Sequence, residues 1–255
     1  MDNYGGARVG TAGWTIPAAV RSAFPTSGST LERYAARFSC VEINSPFYRP
    51  HRPTTYERWA AAVPATFRFA VKVPKAITHE RRLVDAVEPL ERFLDETAAL
   101  GHKRDVLLIQ LPPSLAYDAQ IAGGFLSALR QRYAGQAACE PRHASWLTDA
   151  ANRTLRSFSI ARVAADPALA GGGEPGGDLA FRYFRWHGSP RRYYDAYGDE
   201  RLCALARLGA PDASTWCIFD NTASGAATSD ALHFKKVIAQ CAWLPREQFR
   251  NSDAR

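Results

Sequence analysis

The stretch DVLLIQL at residues 105–111 is short, rich in branched apolar side chains and followed at once by a double proline. These features predict a buried β-strand, because the run is too short for a helix of ordinary length. Apolar residues at helical spacing precede it at Leu90 and Phe93 and follow it at Phe125 and Leu129. The stretch therefore predicts one strand between two helices, which is the repeating unit of a parallel α/β sheet.

The same alternation runs along the rest of the chain. Eight short apolar runs are predicted as strands, at residues 8–11, 40–44, 67–73, 105–111, 137–140, 160–164, 179–187 and 216–219. Seven helical patterns accompany them, and capping boxes at residues 29–32 and 54–57 begin two of these helices. Eight strand–helix units in a chain of this length are typical of a (β/α)8 barrel. The sequence predicts an α/β fold with one parallel, eight-stranded TIM-type barrel. We expect a single domain over residues 1–255, with its core at about 8–240 and a C-terminal tail at 241–255.

The sixth strand–helix unit is irregular. After Asp166 the chain continues as PALAGGGEPGGD, and so many glycines and prolines disfavour a stable helix. Residues 171–177 are predicted as a flexible loop. Two interpretations of this loop stay open, a plain linker and a lid over an active site.

Composition narrows the class of protein. The 255 residues carry a net charge of +7, with 46% hydrophobic and 22% charged side chains, as in ordinary folded proteins. We expect no membrane span, no secretion signal and a cytoplasmic location, because no long apolar run is present. The five cysteines are odd in number and lack CxxC spacing, which argues against a disulfide framework or zinc knuckle. The basic residues are dispersed, so a small anionic partner is favoured while nucleic acid remains open as a partner.

Polar side chains concentrate at the ends of the predicted strands, where barrels form their active sites. Side chains alternate between the two faces of a strand, so Glu140 and Arg142 share one face, and Arg185 and His187 share another. Burying so many charges is costly unless they pair. Two interpretations follow: a charged pocket at the barrel mouth, or a satisfied ion network, for example between Glu42 and Lys72.

The candidate site residues come from all of these strand ends. The candidate catalytic residues are Glu42, Lys72, His79, Glu140, Arg142, Arg185 and His187. The candidate substrate-binding residues are Trp14, Asn44, Tyr48, Gln110, His143, Trp146, Gly188, Asn221 and Thr222. No metal site is assigned and the cofactor is unknown. A bound metal ion nevertheless remains an open alternative, because four residues have side chains that can ligate metals: Glu140, Asp166, His187 and Asp220.

Seven segments in order carry a resemblance to a known family. They are GTAGW (10–14), FSCVEINSPFYR (38–49), FRFAVKVPKAITHERRL (67–83), LLIQLPPSLAYD (107–118), CEPRHASW (139–146), FRWHG (184–188) and FDNTASGAA (219–227). Through them the chain resembles the family called domain of unknown function 72, or YecE-like. The resemblance implies a TIM-type barrel and no established activity. Three positions depart from the family pattern: Ala12 for Ser, Ala144 for Pro, and Asp220 for Asn.

The leading hypothesis is an enzyme or ligand-binding barrel whose small substrate carries a phosphate or carboxylate group. A hydrolase or an enzyme acting on phosphate esters would fit this hypothesis. Glu140 or Glu42 would be the acid/base, with His79 or His187 as a second proton carrier. Lys72, Arg142 and Arg185 would stabilise negative charge that develops during the reaction. Two alternatives remain: a nucleic-acid-binding protein or metal-dependent nuclease resembling endonuclease IV and xylose isomerase barrels, and a non-catalytic ligand sensor.

Overall fold

Strands and helices alternate throughout residues 6–169, 172–208 and 214–241, the part of the chain that the computed structural model describes. The strands are β1 (Arg8–Thr11), β2 (Cys40–Ile43), β3 (Arg68–Lys72), β4 (Arg104–Gln110), β5 (Gln136–Glu140), β6 (Ile160–Arg162), β7 (Ala164–Asp166), β8 (Gly176–Gly177), β9 (Arg182–Trp186) and β10 (Thr215–Phe219). The α-helices are α1 (Thr30–Ala35), α2 (Pro53–Ala61), α3 (Val87–Ala98), α4 (Ala119–Arg132), α5 (Asp149–Ser157), α6 (Asp199–Leu208) and α7 (Ala226–Cys241). Single turns of 3-10 or π-helix follow several strands, among them Ser45–Phe47 and Ala76–Glu80.

The strands form two sheets instead of the predicted single sheet. One sheet has the order β2-β3-β4-β5-β6-β8, and the other has the order β1-β10-β9-β7. Every pairing is parallel except that of β6 with β8. The structure thus confirms an α/β fold built mainly from parallel strands.

The predicted sixth strand is divided between the sheets. Residues 160–162 pair with β5, whereas residues 164–166 pair with β9. Val163 separates the two halves, and its backbone N–H donates to the Cys139 carbonyl at 2.8 Å. The sheets meet a second time at an isolated parallel bridge between Ala12 and Glu42. The break explains why the prediction of one strand at 160–164 was only partly correct.

The glycine-rich segment contains more order than the sequence predicted. Gly176 and Gly177 pair antiparallel with Arg162 and Ala161, and the Gly177 N–H donates to Asn152 Oδ1 in α5 at 3.1 Å. This end of the predicted loop therefore packs beside a helix. Position 171 of the predicted lid lies outside the described residues, as do positions 242–255 of the predicted tail.

The two predicted capping boxes had different outcomes. At α1, Ser29 Oγ accepts from the Glu32 N–H and Glu32 Oε2 accepts from the Ser29 N–H, which confirms that prediction. At α2, the helix already begins at Pro53, so Thr54 lies inside its first turn and the prediction was wrong. Proline is favoured at the first helical position because its missing N–H would have no partner there.

The sheets bury apolar side chains on both faces. One large cluster lies between the strands and the surrounding helices. The other, which we call the inner cluster, draws on strands of both sheets and comprises Cys40, Ala70, Val106, Leu108, Ala138, Ala161, Val163, Phe181, Tyr183, Trp216 and Ile218. Gly10 fits beside it only because it lacks a side chain, since a Cβ there would lie 2.4 Å from the Cys40 carbonyl oxygen. Among the described helices, none is both long and apolar enough to cross a membrane.

Candidate functional site

A layer of polar side chains lies directly above the inner cluster. Each of these side chains comes two positions after an inner-cluster residue and therefore shares its face of the strand. The members are Glu42, Lys72, Gln110, Glu140, Arg185 and Asp220. They stand at or directly after the carboxyl ends of β2, β3, β4, β5, β9 and β10. Period-two alternation in the sequence had assigned faces only to pairs within one strand, such as Glu140 with Arg142 and Arg185 with His187.

Arg185 is the centre of this layer and is fully buried. Its guanidinium grips Glu42 through two bonds, Nε to Oε2 at 3.0 Å and Nη2 to Oε1 at 2.7 Å. Its Nη1 donates to Glu140 Oε2 at 2.6 Å, and Nη2 also donates to Asp220 Oδ2 at 2.9 Å. Tyr183 adds a hydroxyl bond to Glu42 Oε2 at 2.9 Å. One arginine thus binds three carboxylates from three separate strands.

Glu140 receives further donors from its other side. Arg142 Nη2 lies 2.7 Å from Glu140 Oε1, and Gln110 Nε2 donates to Oε2 at 3.0 Å. The His187 ring bridges two acids, with Nε2 2.9 Å from Glu140 Oε1 and Nδ1 3.0 Å from Asp220 Oδ2. These contacts fix the orientation of the imidazole and complete a network of charged groups.

The network lowers the pKa of two of its acids, Glu140 and Asp220. Burial alone would raise the pKa of Glu140, but Arg185, Arg142 and His187 together hold that pKa well below its usual range. Arg185 and His187 likewise lower the pKa of Asp220 against the effect of burial. Glu42 has both of its oxygens bonded to Arg185. The predicted acid/base role of Glu42 and Glu140 therefore conflicts with the geometry, since both carboxylates are occupied in ion pairs.

Lys72 belongs to the same layer but not to the network. Its side chain is 7% exposed, and its ammonium lies 3.9 Å from the centre of the Phe47 ring. Within the described part of the chain, no hydrogen bond or ion pair reaches Nζ. The Glu42–Lys72 pair, given as one example of an ion network, is therefore not formed, and Glu42 pairs with Arg185 instead. Burial, reinforced by the Arg185 charge, lowers the pKa of Lys72 to about 8. Lys72 is thus a buried amine that titrates near neutral pH.

Phe47 organises the groups next to Lys72. The His79 ring meets Phe47 edge-on at 4.9 Å, and the Tyr48 ring does so at 5.0 Å. Thr78 Oγ1 lies 2.8 Å from His79 Nδ1, which leaves Nε2 as the outer nitrogen. Burial and the Lys72 charge lower the pKa of His79, so it is a proton acceptor at neutral pH. Tyr48 is 71% exposed, so its side chain lies at the protein surface beside Phe47.

Several predicted substrate-binding residues have structural partners instead. Trp146 is buried, its indole N–H donates to the Leu115 carbonyl at 3.0 Å, and its ring packs on Tyr117. His143 caps the following turn by accepting from the Ser145 N–H at 3.2 Å. These aromatic and imidazole groups are therefore used in packing and capping.

The loops after β9 and β10 are also held by internal bonds. Asn221 Nδ2 donates to Asp230 Oδ2 at 2.6 Å, which ties the loop to α7. The Gly188 N–H donates to the Tyr197 hydroxyl at 2.9 Å, so it is not free to bind an anion. Thr222 is exposed at the surface and accepts the Gly225 N–H through its carbonyl.

The remaining two predicted contacts lie near the first two strands. Trp14 is half-buried and packs edge-on against Trp59 at 5.1 Å. Asn44 follows β2, and its Oδ1 is buried without a hydrogen-bond donor among the residues that the structure describes. Asn44 therefore keeps an unused acceptor close to the polar layer.

The metal interpretation is not supported by the geometry. The Asp166 carboxylate pairs with Arg201, and Asp166 meets His187 only through the backbone, where its carbonyl accepts from the His187 N–H at 2.7 Å. In residues 6–169, 172–208 and 214–241, no group of three or more His, Cys, Asp or Glu side chains could hold a metal ion. The arginines occupy the carboxylate oxygens that a metal would need.

Sequence reasoning missed Tyr183, Tyr193 and Phe47. Tyr183 could have been found, because it precedes Arg185 by two positions and so shares its face. Tyr193 is brought to the site by a backbone with φ of 71°, and its hydroxyl accepts from Arg142 Nη2 at 3.4 Å. Neither that turn nor the contact of Phe47 with Lys72 has a local sequence signal.

Comparison with known families shows which family the chain belongs to. The family described as "Protein of unknown function DUF72" matches residues 8–250. The chain belongs to the DUF72 family. The resemblance inferred from the seven motifs is thereby confirmed, and the polar layer lies on strands that this family match includes.

Among relatives, the DUF72 chain is 31% identical to the UPF0759 protein YecE of Escherichia coli K12 over 104 residues. This match spans 41% of the chain and 37% of YecE, so it covers well under half of that relative. A crystal structure of a DUF72 family protein from Thermotoga maritima has a TM-score of 0.76 at 27% identity, covering 91% of this chain and 98% of that one.

A more distant structure supports the fold class alone. A fusion protein with a xylose isomerase-like TIM barrel has a TM-score of 0.52 at 16% identity, covering 81% of this chain and 39% of that protein. The DUF72 chain therefore has a TIM-barrel-like α/β fold.

Proposed function

We propose that this protein is an enzyme acting on a small substrate that carries a carboxylate or phosphate group, bound at the carboxyl ends of the strands. The observation that carries this proposal is Lys72, a nearly buried ammonium beside acids that are all engaged by other groups. A buried charge without a bonded partner is costly, and an anionic substrate would supply that partner.

Arg142 supports the same conclusion from the neighbouring side. Its Nη2 binds Glu140, while its Nε is buried with no acceptor among the described residues. Arginine binds carboxylates and phosphates through adjacent N–H groups, so this guanidinium has capacity left for an anion. Arg191 and Arg192 follow in the loop after β9 and add to the positive charge of this end of the sheet.

Catalysis, as opposed to simple binding, is supported by the titration behaviour of the site. A lysine with a pKa of about 8 exchanges its proton near neutral pH, which general acid–base chemistry requires. A non-catalytic sensor has no need of such a group. We therefore assign proton transfer to Lys72 and His79, and assign Glu42, Glu140 and Asp220 to holding Arg185, Arg142 and His187 in place.

We also propose that the two sheets together make one closed, eight-stranded barrel. The bridge between Ala12 and Glu42 would join β1 to β2, and residues 160–166 would join β5 to β9 as one broken strand. Strands of both sheets contribute side chains to the inner cluster, which supports this arrangement. Closure would gather the polar layer at a single mouth, as barrel enzymes require.

Calorimetric titration with inorganic phosphate and with pyruvate tests the anion site. We expect the wild type to bind at least one of them, and Lys72→Met to weaken that binding by tenfold or more. The loss corresponds to one charge-assisted bond of about 1.5–3 kcal/mol. Lys75→Met is the matched control, since Lys75 is exposed and paired with Glu80 at 3.0 Å. Equal affinities for the wild type and the Lys72 variant would overturn the proposal.

A further inference from the structure

We propose that Lys72 is a Schiff-base lysine, and that the substrate is an anionic aldehyde or ketone whose carbonyl carbon is attacked by Nζ. This inference rests on the proposed anion site and names its substrate class. It follows from the environment of Nζ, which is unlike that of a lysine used for structure.

Lys103 shows what a structural lysine looks like in the same protein. It is 9% exposed, almost as buried as Lys72, and its Nζ donates to the carbonyls of Ala60 and Val63, both at 2.6 Å. Lys72 has an aromatic ring under its amine in place of such acceptors. A lone pair on Nζ can therefore point toward a substrate once the proton has left.

Burial and the Arg185 charge make the Lys72 ammonium easier to deprotonate than that of an ordinary lysine. Glu42, Glu140 and Asp220 act to keep the proton on Nζ, whereas burial and Arg185 act to remove it, and the balance puts the pKa at about 8. Each of those acids is paired with Arg185, which weakens its hold on the ammonium. Desolvation next to another cation is one of the ways by which proteins activate lysine nucleophiles.

The reaction balances with groups already at the site. The neutral His79 takes a proton from the Lys72 ammonium, and the free amine adds its lone pair to the carbonyl carbon while the carbonyl π electrons move to oxygen. A proton passes from the new nitrogen cation to that oxygen, which gives a carbinolamine. His79 then returns its proton to the hydroxyl, water leaves, and a protonated imine remains on Lys72. No electrons are lost or gained.

Two features place the substrate around this amine. His79 contacts the same Phe47 ring that Lys72 contacts, and the Lys72 charge acts on the pKa of His79, so the two side chains are neighbours. The Nε of Arg142, which has no acceptor among the described residues, offers a donor for the anionic group. The substrate class is accordingly a short 2-oxo acid or a phosphorylated carbonyl compound.

Borohydride trapping tests the imine directly. The full-length protein is incubated with pyruvate, or with dihydroxyacetone phosphate, then reduced with sodium borohydride, digested and analysed by mass spectrometry. We expect a reduced adduct on Lys72 at least tenfold above that on Lys103 or the exposed Lys75. Lys72→Arg has no nucleophilic amine, so the adduct should disappear from that variant.

The outcomes separate this inference from the anion site. Phosphate binding without a Lys72 adduct from either probe would overturn the Schiff base and leave the anion site standing. Equal labelling of Lys72 and Lys75 would overturn it as well, because it would indicate surface reactivity alone. Absence of binding by both phosphate and pyruvate in the calorimetric titration would remove the anion site itself. Lys72→Met provides a second variant in case the arginine side chain does not fit.

Discussion

At the scale of single residues, Lys72 and Lys103 show how the same side chain serves two purposes. Both are nearly buried, but Lys103 has two carbonyl acceptors and Lys72 rests on the Phe47 ring. Burying a charge without hydrogen bonds opposes folding, so the Lys72 environment is unfavourable for stability. Such a cost is typical of groups that function in binding or catalysis.

Replacing Lys72 by Met should stabilise the protein at pH 7 by about 2 kcal/mol, because it removes a buried, unbonded charge. Folding lowers the pKa of Lys72 from 10.5 to about 8, so between these values the unfolded chain holds a proton that the folded chain has lost. Wild-type stability attributable to Lys72 therefore rises from pH 8 to pH 10.5. The advantage of Lys72→Met should shrink over the same interval.

Urea unfolding of both proteins at pH 7 and near pH 10 measures this difference. Lys103→Met serves as the control, since the loss of two hydrogen bonds should destabilise the protein at pH 7. A Lys72→Met variant that is less stable than the wild type at pH 7 would contradict the interpretation.

At the scale of elements, the strands position the polar layer and the helices do not contribute to it. Six strands, β2, β3, β4, β5, β9 and β10, each give an apolar residue to the inner cluster, and a polar residue follows two positions later. The distance of β1 from β2 is set by Gly10, whose Cα faces the Cys40 carbonyl. The bridge from Ala12 to Glu42 follows two positions later, so Gly10 also controls where Glu42 stands.

Gly10→Ala should destabilise the protein by about 3 kcal/mol, because its Cβ would lie 2.4 Å from the Cys40 oxygen and the two strands would have to separate. Gly123→Ala in α4 is the control, since a Cβ there meets no atom within 4 Å. Alanine is the better helix former, so this control should gain up to about 1 kcal/mol. Thermal unfolding compares the two, and equal stability of both variants would refute the role of Gly10.

At the scale of the whole molecule, Arg185 holds the two sheets together. It belongs to β9 in the four-stranded sheet, while Glu42 and Glu140 belong to β2 and β5 in the six-stranded sheet. The ion pairs therefore cross between sheets at the level of the polar layer. Loss of this one side chain would leave buried acids unpaired on both sides.

Arg185→Met should cost about 3–5 kcal/mol at neutral pH, as expected when one partner of a buried ion network is removed. Hydrogen exchange should show lower protection in both sheets, because the acids of the six-stranded sheet lose their counter-charge. Arg92→Ala is the control, since Arg92 is exposed and should change stability by less than about 0.5 kcal/mol. Lower protection confined to the four-stranded sheet would contradict the proposed link.

Sequence alone determined the α/β class, most strand positions, and the face on which Glu42, Glu140 and Arg185 lie. These features are local, since apolar runs and period-two alternation can be counted along the chain. It did not predict the break at Val163 or the antiparallel strand at Gly176–Gly177, because both depend on pairing with other strands.

Only the tertiary structure decided which charges meet. Arg185 lies 143 positions from its partner Glu42, and no local pattern indicates that the two side chains should bind each other. Arg185 binds the three acids, and Lys72 contacts an aromatic ring, with no hydrogen-bond acceptor among the residues that the structure describes. The distinction follows from the physics: alternation along one strand is a property of its own backbone, whereas an ion pair depends on the distance between strands that only the folded chain brings together.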